Sequence, residues 1–267
     1  MTIITLTTDF GERDGYVGVM KGVIWGIAPQ ARFADLSHLI TPQNITEGAL
    51  VLGRAWHYFP AGTIHLAIVA PGVGTQRRAL AARIGGHFFV GPDNGLCTPM
   101  VMHAHSQGWP VAYFHLDRPE FWLPDPSSVF HGRDIFSPVA ARLANGTPVD
   151  QLGSAIQDPV LFRLAQPQRI PEGWQAEVTQ VDHFGDLSIN LTPEHLQGSA
   201  VERIEISGEI VQHLVKTFAD ARPGELVALF DSDNHLSICE ANGSAAVRLG
   251  ASVGTRVRVI LKPGGEK

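Results

Sequence analysis

Apolar and polar residues follow one another along the first 145 positions in an order that alternates between strand and helix. Short apolar or β-branched runs predict strands over residues 3–7, 31–36, 64–69, 80–84, 87–90 and 111–116. Apolar residues at helical spacing predict helices over residues 16–27, 44–58 and 133–145. Because strands and helices alternate, we expect an α/β domain with a largely parallel sheet, in which Gly85 and Gly86 join a hairpin.

The pattern changes near residue 164, where a polar and proline-rich stretch is typical of a linker. Beyond it, short strand-like runs are separated by turns and carry few helical signals, at residues 175–181, 200–206, 225–229, 235–239 and 256–261. The sequence therefore predicts an α/β domain over residues 1–163, a linker over 164–173 and a smaller, barrel-like all-β domain over 174–267.

The composition excludes some classes of partner and of metal site but does not by itself indicate a function. A net charge of −6 over 267 residues argues against a nucleic acid or a membrane surface as partner and favours a small-molecule ligand. The two cysteines, Cys97 and Cys239, form neither a CxxC pair nor a disulfide framework, and His103 and His105 have no cysteine or carboxylate placed to complete a metal site. The N-terminus lacks the features of a signal peptide, and no run approaches the ~20 apolar residues of a membrane span. We therefore expect a cytoplasmic protein without a metal.

Polar residues at the predicted strand ends are the candidates for chemistry, and each has a structural alternative. The carboxylate of Asp9 fits a vicinal diol such as ribose, but equally an Asx turn. Pro71–Arg78 combines two glycines with two arginines, which suits an anion-binding loop or an ordinary turn with one solvated arginine. Pro92–Gly95 is first of all a turn. His131 suits a general base or a structural histidine, and Asp134 suits a helix cap.

Seven motifs in a fixed order are more specific than any of these residues taken singly. They are Thr7–Gly11, Asp35–His38, Phe59–Thr63, Pro71–Thr75, Gly91–Leu96, Phe130–Asp134 and Asp182–Asp186. With them the chain, over nearly its whole length, resembles the S-adenosyl-L-methionine (SAM) hydroxide adenosyltransferases, or SAM hydrolases, which are related to enzymes that fluorinate or chlorinate SAM. The resemblance implies an N-terminal α/β domain, a C-terminal β-barrel and a homotrimer whose active sites lie between the N-terminal domain of one subunit and the C-terminal domain of its neighbour.

The implied reaction is attack of water or hydroxide on C5′ of SAM, which gives adenosine and methionine without a cofactor. The residues that the resemblance implies in substrate binding are Asp9, Asp14, Asn94, Phe130, Asp182, Asp186, Ser232 and Asn242. Asp9 is implied to hold the ribose diol. Asp14 and Asp182 are implied to lie near the methionine end, and Asp186 near the adenosine, where relatives often have Asn. Ser232 and the turn at 240–244, which contains Asn242, are implied to line the adenine pocket.

The water-activating trio of the family is an Asp, an Arg and a His, and only two of the three are present. Arg77 and His131 match, but Ala70 stands where the Asp belongs. Since alanine neither orients water nor accepts a hydrogen bond, the loss predicts a rate lower by ~10²–10⁴-fold. Slow hydrolysis and non-catalytic binding of SAM or adenosine therefore both stay open. A chlorinase-like halogenase is a further alternative, although such relatives have Tyr at Ala70, and the fluorinating ones Tyr-Ser at His131-Gly132 and an insertion at Gly85-Gly86.

Overall fold

Two separate sheets organise the chain, one in each of two units. The computed structural model describes residues 1–262, with a first unit over Met1–Phe162 and a second beginning at Arg163. The strands of the first unit are β1 (Ile3–Thr8), β2 (Arg32–Ser37), β3 (Ile64–Ile68), β4 (Ala79–Ile84), β5 (His87–Pro92), β6 (Val111–His115) and β7 (Ser154–Ile156). Its α-helices are α1 (Tyr16–Ile27), α2 (Ile45–Ala55), α3 (Thr98–Ser106) and α4 (Ser137–Ala144).

The sheet of the first unit has the order β2-β1-β3-β5-β4-β6-β7. Strands β2, β1, β3 and β5 are parallel neighbours, whereas β4 is antiparallel to β5 and β6, and β7 is antiparallel to β6. The side chains of β3 alternate between two cores, which shows that both faces of the sheet are covered. Helices α1 and α4 contribute to one core, and α2 and α3 to the other. The expectation of a largely parallel α/β sheet is confirmed.

The order of the strands places a crevice beside β1. The chain leaves β1 through α1 to reach β2 on one side, and then passes through α2 to reach β3 on the other side. At such a change of direction the helices on the two faces diverge, which opens a space outside the carboxyl ends of the strands. The residues that follow β1 and β3 therefore border the natural ligand site of the first unit.

The described strand pairs of the second unit's sheet are all antiparallel, apart from one isolated parallel bridge between Leu214 and Ala228, and the sheet nearly closes on itself. Its elements are β8 (Gln168–Ile170), β9 (Gly173–Val181), β10 (Leu187–Ile189), α5 (Pro193–Leu196), β11 (Val201–Ile206), β12 (Glu209–Val211), β13 (Leu226–Phe230), β14 (Leu236–Glu240), α6 (Ala245–Leu249) and β15 (Arg256–Leu261). The order is β12-β11-β15-β9-β10-β14-β13, and the two end strands contact each other. The predicted barrel-like all-β architecture is confirmed.

Strand β8 lies inside the stretch that the composition marks as a linker. Residues 168–170 pair with residues 173–175 of β9 in an antiparallel hairpin. Pro171 and Glu172 form its two-residue corner, so the proline that suggests a linker instead turns one strand into the next.

The helix predicted over residues 133–145 is divided in the structure. A π-helical turn at Gly132–Phe136 precedes α4. The cause is Pro138, which has no N–H to donate to the carbonyl of Asp134 four residues earlier and whose ring crowds that carbonyl. The freed carbonyl of Asp134 accepts a hydrogen bond from the N–H of Leu123 instead, at 2.8 Å. A π turn of this kind often occurs at functional sites.

A fully buried histidine ties the centre of the first sheet together. His65 on β3 is 0% exposed, and its Nδ1 lies 2.9 Å from the hydroxyl of Thr5 on β1. Its Nε2 lies 3.2 Å from Nδ1 of His87 on β5. Burial, and then the charge that His87 can carry, lower the pKa of His65 from 6.5 to about 3. His65 is therefore neutral in the folded protein over the whole physiological range of pH.

We expect this buried imidazole to make folding sensitive to acid. Its folded pKa lies below its unfolded value, so its contribution to stability is complete above pH 6.5 and is lost as the pH falls toward 3. Between pH 7.5 and pH 5 the free energy of unfolding should fall by roughly 2 kcal/mol from this group alone. Urea unfolding of the native chain and of His65→Gln at both values checks this, since the variant should lose less stability on acidification. An equal loss in both proteins would contradict the assignment.

Candidate active site

A cleft of about 770 Å³ opens at the carboxyl ends of β1 and β3, where the strand order predicts a ligand site. Three segments form most of its wall. They are the residues after β1, the turn after β3 and the π-helical turn with the loop before it. The lining residues are Asp9, Phe10, Tyr16, Pro42, Gln43, Ile68, Ala70, Pro71, Gly72, Val73, Ser127, Val129, Phe130, His131, Gly132, Arg133 and Phe136.

Asp9 is held in the cleft by a residue far away in the sequence. One carboxylate oxygen accepts a hydrogen bond from the backbone N–H of Gln43 at 2.8 Å. Gln43 has a φ of 67°, in the left-handed region, so its backbone adopts an uncommon conformation to make this contact. Within residues 1–262 no group donates a hydrogen bond to the other oxygen of Asp9. That oxygen is free to accept one from a ligand hydroxyl.

Three aromatic rings form an apolar wall of the cleft. Phe130 lies 6.0 Å from Phe10 and 5.3 Å from Tyr16, between ring centroids, and all three pairs meet edge to face. This arrangement is the favourable one for aromatic pairs. The wall excludes water from one side of the cleft, and its ring faces attract a cation.

Asp134 closes the loop that carries part of this wall. Its buried carboxylate accepts hydrogen bonds from the backbone N–H of Ser127 at 2.8 Å and from Nε of Arg133 at 2.6 Å. Burial alone would raise the pKa of Asp134, but these hydrogen bonds outweigh it and lower the pKa. The sequence favours a helix-capping role for Asp134, whereas in the structure it ties the loop at 127–130 to the π-helical turn.

His131 lies directly before the π-helical turn and lines the cleft. Burial, followed by the positive charge of Arg77, lowers the pKa of His131 below 6.5, and the charge of Asp134 opposes this only in part. The imidazole is therefore neutral near pH 7. In that state one ring nitrogen can accept a proton or a hydrogen bond while the other donates.

Ala70 lies at the end of β3 and contributes only a methyl group to the cleft wall. The backbone just before it is fixed by Asn94, whose side-chain amide donates to the carbonyl of Val69 at 2.8 Å. The turn that follows packs against the opposite loop so closely that a Cβ at Gly74 would come within 2.8 Å of the carbonyl oxygen of Ser128. Position 70 is thus rigidly placed although its own side chain has no polar function.

The two arginines after this turn have different surroundings, and neither is a solvated surface residue as the sequence suggests for one of them. Arg78 donates from Nε to Asp93 and from Nη1 to Asp158, each at 2.8 Å. Nε and Nη1 of Arg77 are buried, and among residues 1–262 they have no hydrogen-bond partner. Burial lowers the pKa of Arg77, and the charge of Asp93 opposes this effect.

In the second unit, the turn at 182–186 meets the turn at 240–246. The carbonyl of Gly185 accepts from the N–H of Ala246 at 2.9 Å, and a Cβ at Gly185 would collide with Ser244. Asp182 organises its own turn by accepting from the N–H groups of Phe184 and Asp186, each at 2.9 Å.

Three predicted substrate-binding residues lie at different positions along β14, namely Asp186, Asn242 and Ser232. Burial raises the pKa of Asp186, whose carboxyl is hydrogen-bonded to the thiol of Cys239. Asn242 is exposed in the adjoining turn with a φ of 59°. Ser232 is exposed in the turn before β14, at the end opposite to Asn242, roughly 15 Å away along the strand. The second unit therefore brings Asp182, Asp186 and Asn242 together and leaves Ser232 apart.

The first unit likewise unites some of the predicted residues and not others. Asp9, Ala70, Phe130 and His131 line one cleft. Arg77 stands near enough to His131 to act on its pKa. Asn94 acts on the backbone beneath the cleft, and Asp14 is exposed before α1, outside the lining of the cleft.

Four residues shape the cleft in ways that the sequence does not predict, namely Tyr16, Gln43, Arg133 and Asp134 as a loop anchor. Arg133 and Asp134 lie inside the motif Phe130–Asp134, and Tyr16 begins the predicted helix over 16–27, so these three had a signal in the sequence. Gln43 carries no local signal, because its role depends on an uncommon backbone angle and on a contact 34 residues away.

Comparison with known proteins decides the family. Residues 4–153 match the SAM hydroxide adenosyltransferase N-terminal domain, and residues 176–258 match the C-terminal domain of the same family. The chain belongs to this family. The (R)-S-adenosyl-L-methionine hydrolase of Salinispora tropica is 41% identical over 261 residues, which cover 96% of this chain and 97% of that protein.

The fold and a second branch of relatives agree with this assignment. A solved structure of a conserved protein from Thermotoga maritima superposes with a TM-score of 0.87 at 33% identity, over 96% of this chain and 99% of that chain. A fluorinase of an Actinoplanes species is 26% identical over 292 residues, which cover 96% of this chain and 97% of that protein. Proteins named as hydrolases and proteins named as fluorinases thus both match this chain over almost its whole length.

The described part of the chain contains neither a membrane-spanning helix nor a cluster of metal ligands. Within residues 1–262, no helix has the length and apolar character needed to cross a bilayer. Over the same residues, no three His, Cys, Asp or Glu side chains converge on a place that could hold a metal ion.

Proposed function

We propose that this chain hydrolyses S-adenosyl-L-methionine to adenosine and L-methionine. The observation that carries the proposal is one cleft that combines a carboxylate with a free oxygen, at Asp9, an aromatic wall and a neutral imidazole, at His131. These groups match the three parts of the substrate that matter, which are a ribose diol, a sulfonium cation and an attacking water.

The reaction needs little covalent help from the protein. The water oxygen forms a bond to C5′ while the C5′–S bond breaks. The electron pair of the C5′–S bond returns to sulfur and gives the thioether of methionine. One proton of the water must leave, and the neutral imidazole of His131 can accept it directly or through a second water. The chain contributes mainly by positioning the reactants and by excluding other water, for which the wall of Phe10, Tyr16 and Phe130 is suited.

Incubation of SAM with the purified chain, followed by chromatographic separation of the products, tests the proposal. We expect adenosine and methionine in equal amounts, at a rate that is low because of Ala70. Binding of SAM without release of adenosine would support the alternative of a non-catalytic binder, which is favoured by the same observation at Ala70.

Incubation of SAM with the chain in the presence of chloride tests the halogenase alternative. In the structure, β4 and β5 are joined by the two residues Gly85 and Gly86, with Ile84 paired to His87, so the hairpin carries no insertion. His131-Gly132 also differs from the Tyr-Ser of fluorinating relatives. With chloride present, we therefore expect adenosine to remain the product. Preferential formation of 5′-chloro-5′-deoxyadenosine would favour halogenation instead.

The pKa of His131 predicts how the rate depends on pH. The neutral imidazole is the active form, and its pKa lies below 6.5, so the rate should be level near pH 7 and fall on acidification below pH 6.5. His131→Asn should lose this acid limb together with most of the rate. An NMR titration of the His131 ring in Arg77→Gln provides the control, because removing the nearby charge should raise the pKa of His131. An unchanged titration midpoint would show that the charge of Arg77 does not act on the pKa of His131.

We also propose that the working enzyme is a homotrimer and acts in the cytoplasm. The resemblance to the family supports the trimer, and light scattering that gave the 28.9 kDa mass of one chain would contradict it. The cytoplasm is supported by two buried free cysteines, Cys97 and Cys239, whose pKa values are both raised by burial. Fractionation of cells that placed the protein elsewhere would contradict that location.

A further inference from the structure

His38 is a buried residue of the motif Asp35–His38, to which the proposed reaction assigns no role. It follows directly after β2 and is only 7% exposed. Its Nδ1 lies 2.9 Å from the hydroxyl oxygen of Thr8, the last residue of β1. The main-chain carbonyl of His38 also accepts a hydrogen bond from the N–H of Gly11 at 2.8 Å. His38 therefore holds the chain on both sides of Asp9, which lines the cleft.

The backbone pairing between β1 and β2 stops before it reaches Thr8. The described pairs of these strands end at Thr7 and Ser37, and the register shifts just before them, after Leu6. On its other side, Thr8 pairs with Ile68 of β3. β-Bulges, which shift the register in this way, are frequent next to active sites. On the side of β2, the contact between hydroxyl and imidazole thus fixes the end of β1 where the backbone ladder has ended.

The neighbours of Thr8 and His38 indicate which of the two donates. Nε2 of His38 lies 3.2 Å from Oδ1 of Asp35, a close contact although it lacks the alignment of a hydrogen bond. Burial would raise the pKa of Asp35, but its contacts with Lys21 and His38 lower the pKa, so the carboxylate is ionised at neutral pH. This charge favours the imidazole proton on Nε2, so that Nδ1 accepts from the hydroxyl of Thr8. The same hydroxyl oxygen accepts from the N–H of Phe10 at 3.3 Å.

The segment from His38 to Gln43 contacts the loop after β1 at three points. The first is the contact of the His38 ring with Thr8, and the second is the hydrogen bond from Gly11 to the carbonyl of His38. The third is the hydrogen bond from the N–H of Gln43 to Oδ2 of Asp9. Of the three, only the first can be removed without changing Asp9 or the backbone. It is therefore the contact that substitution can test.

We propose that the buried pair of His38 and Thr8 positions Asp9, and thereby sets how strongly the cleft prefers a ribose diol over a sugar that lacks the 2′ hydroxyl. The inference rests on the proposed function, in which the free oxygen of Asp9 binds the ribose of SAM. His38 is not among the residues that line the cleft, so it is a positioning residue. Because a hydrogen bond is directional, a small displacement of the carboxylate weakens its contact with the diol.

Strand β1 supplies a matched control, because two of its threonines make the same kind of contact. Thr8 and Thr5 are both fully buried. The hydroxyl of each lies 2.9 Å from Nδ1 of a buried histidine, which is His65 for Thr5. Valine has nearly the shape of threonine but no hydroxyl. Thr8→Val therefore removes the contact next to Asp9, and Thr5→Val removes its counterpart three residues earlier in the strand.

Calorimetric titration of the full chain with adenosine and with 2′-deoxyadenosine measures the preference for the diol. We expect Thr8→Val and His38→Leu to reduce this preference from about tenfold to about threefold or less. His38→Asn should recover most of it, because its amide oxygen can accept from the hydroxyl of Thr8 in place of Nδ1. Thr5→Val should keep the full preference of the native chain, although its thermal unfolding midpoint falls as that of Thr8→Val does.

The outcomes separate this role from plain stabilisation and from the proposed function. An equal loss of preference in Thr5→Val would overturn the positioning role, because the effect would then come from the stability of β1 as a whole. If the native chain releases adenosine from SAM but Thr8→Val keeps the full preference, the positioning role fails and the proposed function stands. If Thr8→Val loses the preference but the native chain releases no adenosine from SAM, the proposed hydrolysis fails and the positioning role stands.

Discussion

Ala70→Asp should raise the rate of adenosine release from SAM by at least tenfold, and by as much as ~10³-fold. The reason is that position 70 is rigidly held at the end of β3, through the bond from Asn94 to the carbonyl of Val69, and faces the cleft. A carboxylate there would orient a water in the cleft that His131 also lines. Adenosine and methionine released under saturating SAM give the measurement.

The matched control is Ala70→Asn, which has nearly the same shape but neither the charge nor the basicity. It should gain little rate, because an amide orients water without taking its proton. If Ala70→Asp and the native chain released adenosine equally fast, position 70 would have no part in the mechanism. If Ala70→Asn rose as much as Ala70→Asp, the gain would come from packing and not from a carboxylate.

Asp9→Ala should weaken the binding of adenosine by about 10²-fold, because the charge-assisted hydrogen bond that the free oxygen of Asp9 accepts from the ribose diol is lost. Asp9 is suited to this role because Gln43 holds one of its oxygens and the other has no partner among residues 1–262. Calorimetric titration with adenosine gives the affinities. Asp9→Asn should lie between the two proteins, since its amide oxygen still accepts one hydrogen bond.

The ligand supplies the control for this experiment. 2′-Deoxyadenosine lacks one hydroxyl of the diol, so the native chain should bind it about tenfold less tightly than adenosine. Asp9→Ala should bind the two nucleosides almost equally. A variant that kept the full preference for adenosine would show that another group reads the diol, and that Asp9 acts only by holding Gln43.

The sequence by itself determined the elements whose causes are local. Helix α1 occupies the residues that helical spacing predicts, 16–27, and the hairpin of β4 and β5 turns at Gly85 and Gly86. Both follow from periodicity and turn chemistry, which act over a few neighbouring residues. The order of seven motifs likewise sufficed to place the chain in its family, as the domain matches confirm.

Local patterns failed where a residue's partner lies elsewhere in the fold. The proline-rich stretch near residue 170 forms a strand because β9 pairs with it, and the helix after His131 begins with a π turn because Pro138 frees a carbonyl that Leu123 then satisfies.

Arg77 and Arg78 show most clearly the difference between what the local sequence determines and what distant partners in the fold determine. From the sequence, Arg77 and Arg78 are equivalent neighbours after a glycine turn. Only the tertiary structure decides that Arg78 meets Asp93 and Asp158, which lie 15 and 80 residues away, whereas Nε and Nη1 of Arg77 are buried without a hydrogen-bond partner in the described chain. The sequence determined that an alanine stands at position 70, because that depends on one residue. Which guanidinium nitrogens of the two arginines find partners was decided by packing, because it depends on every element that meets there.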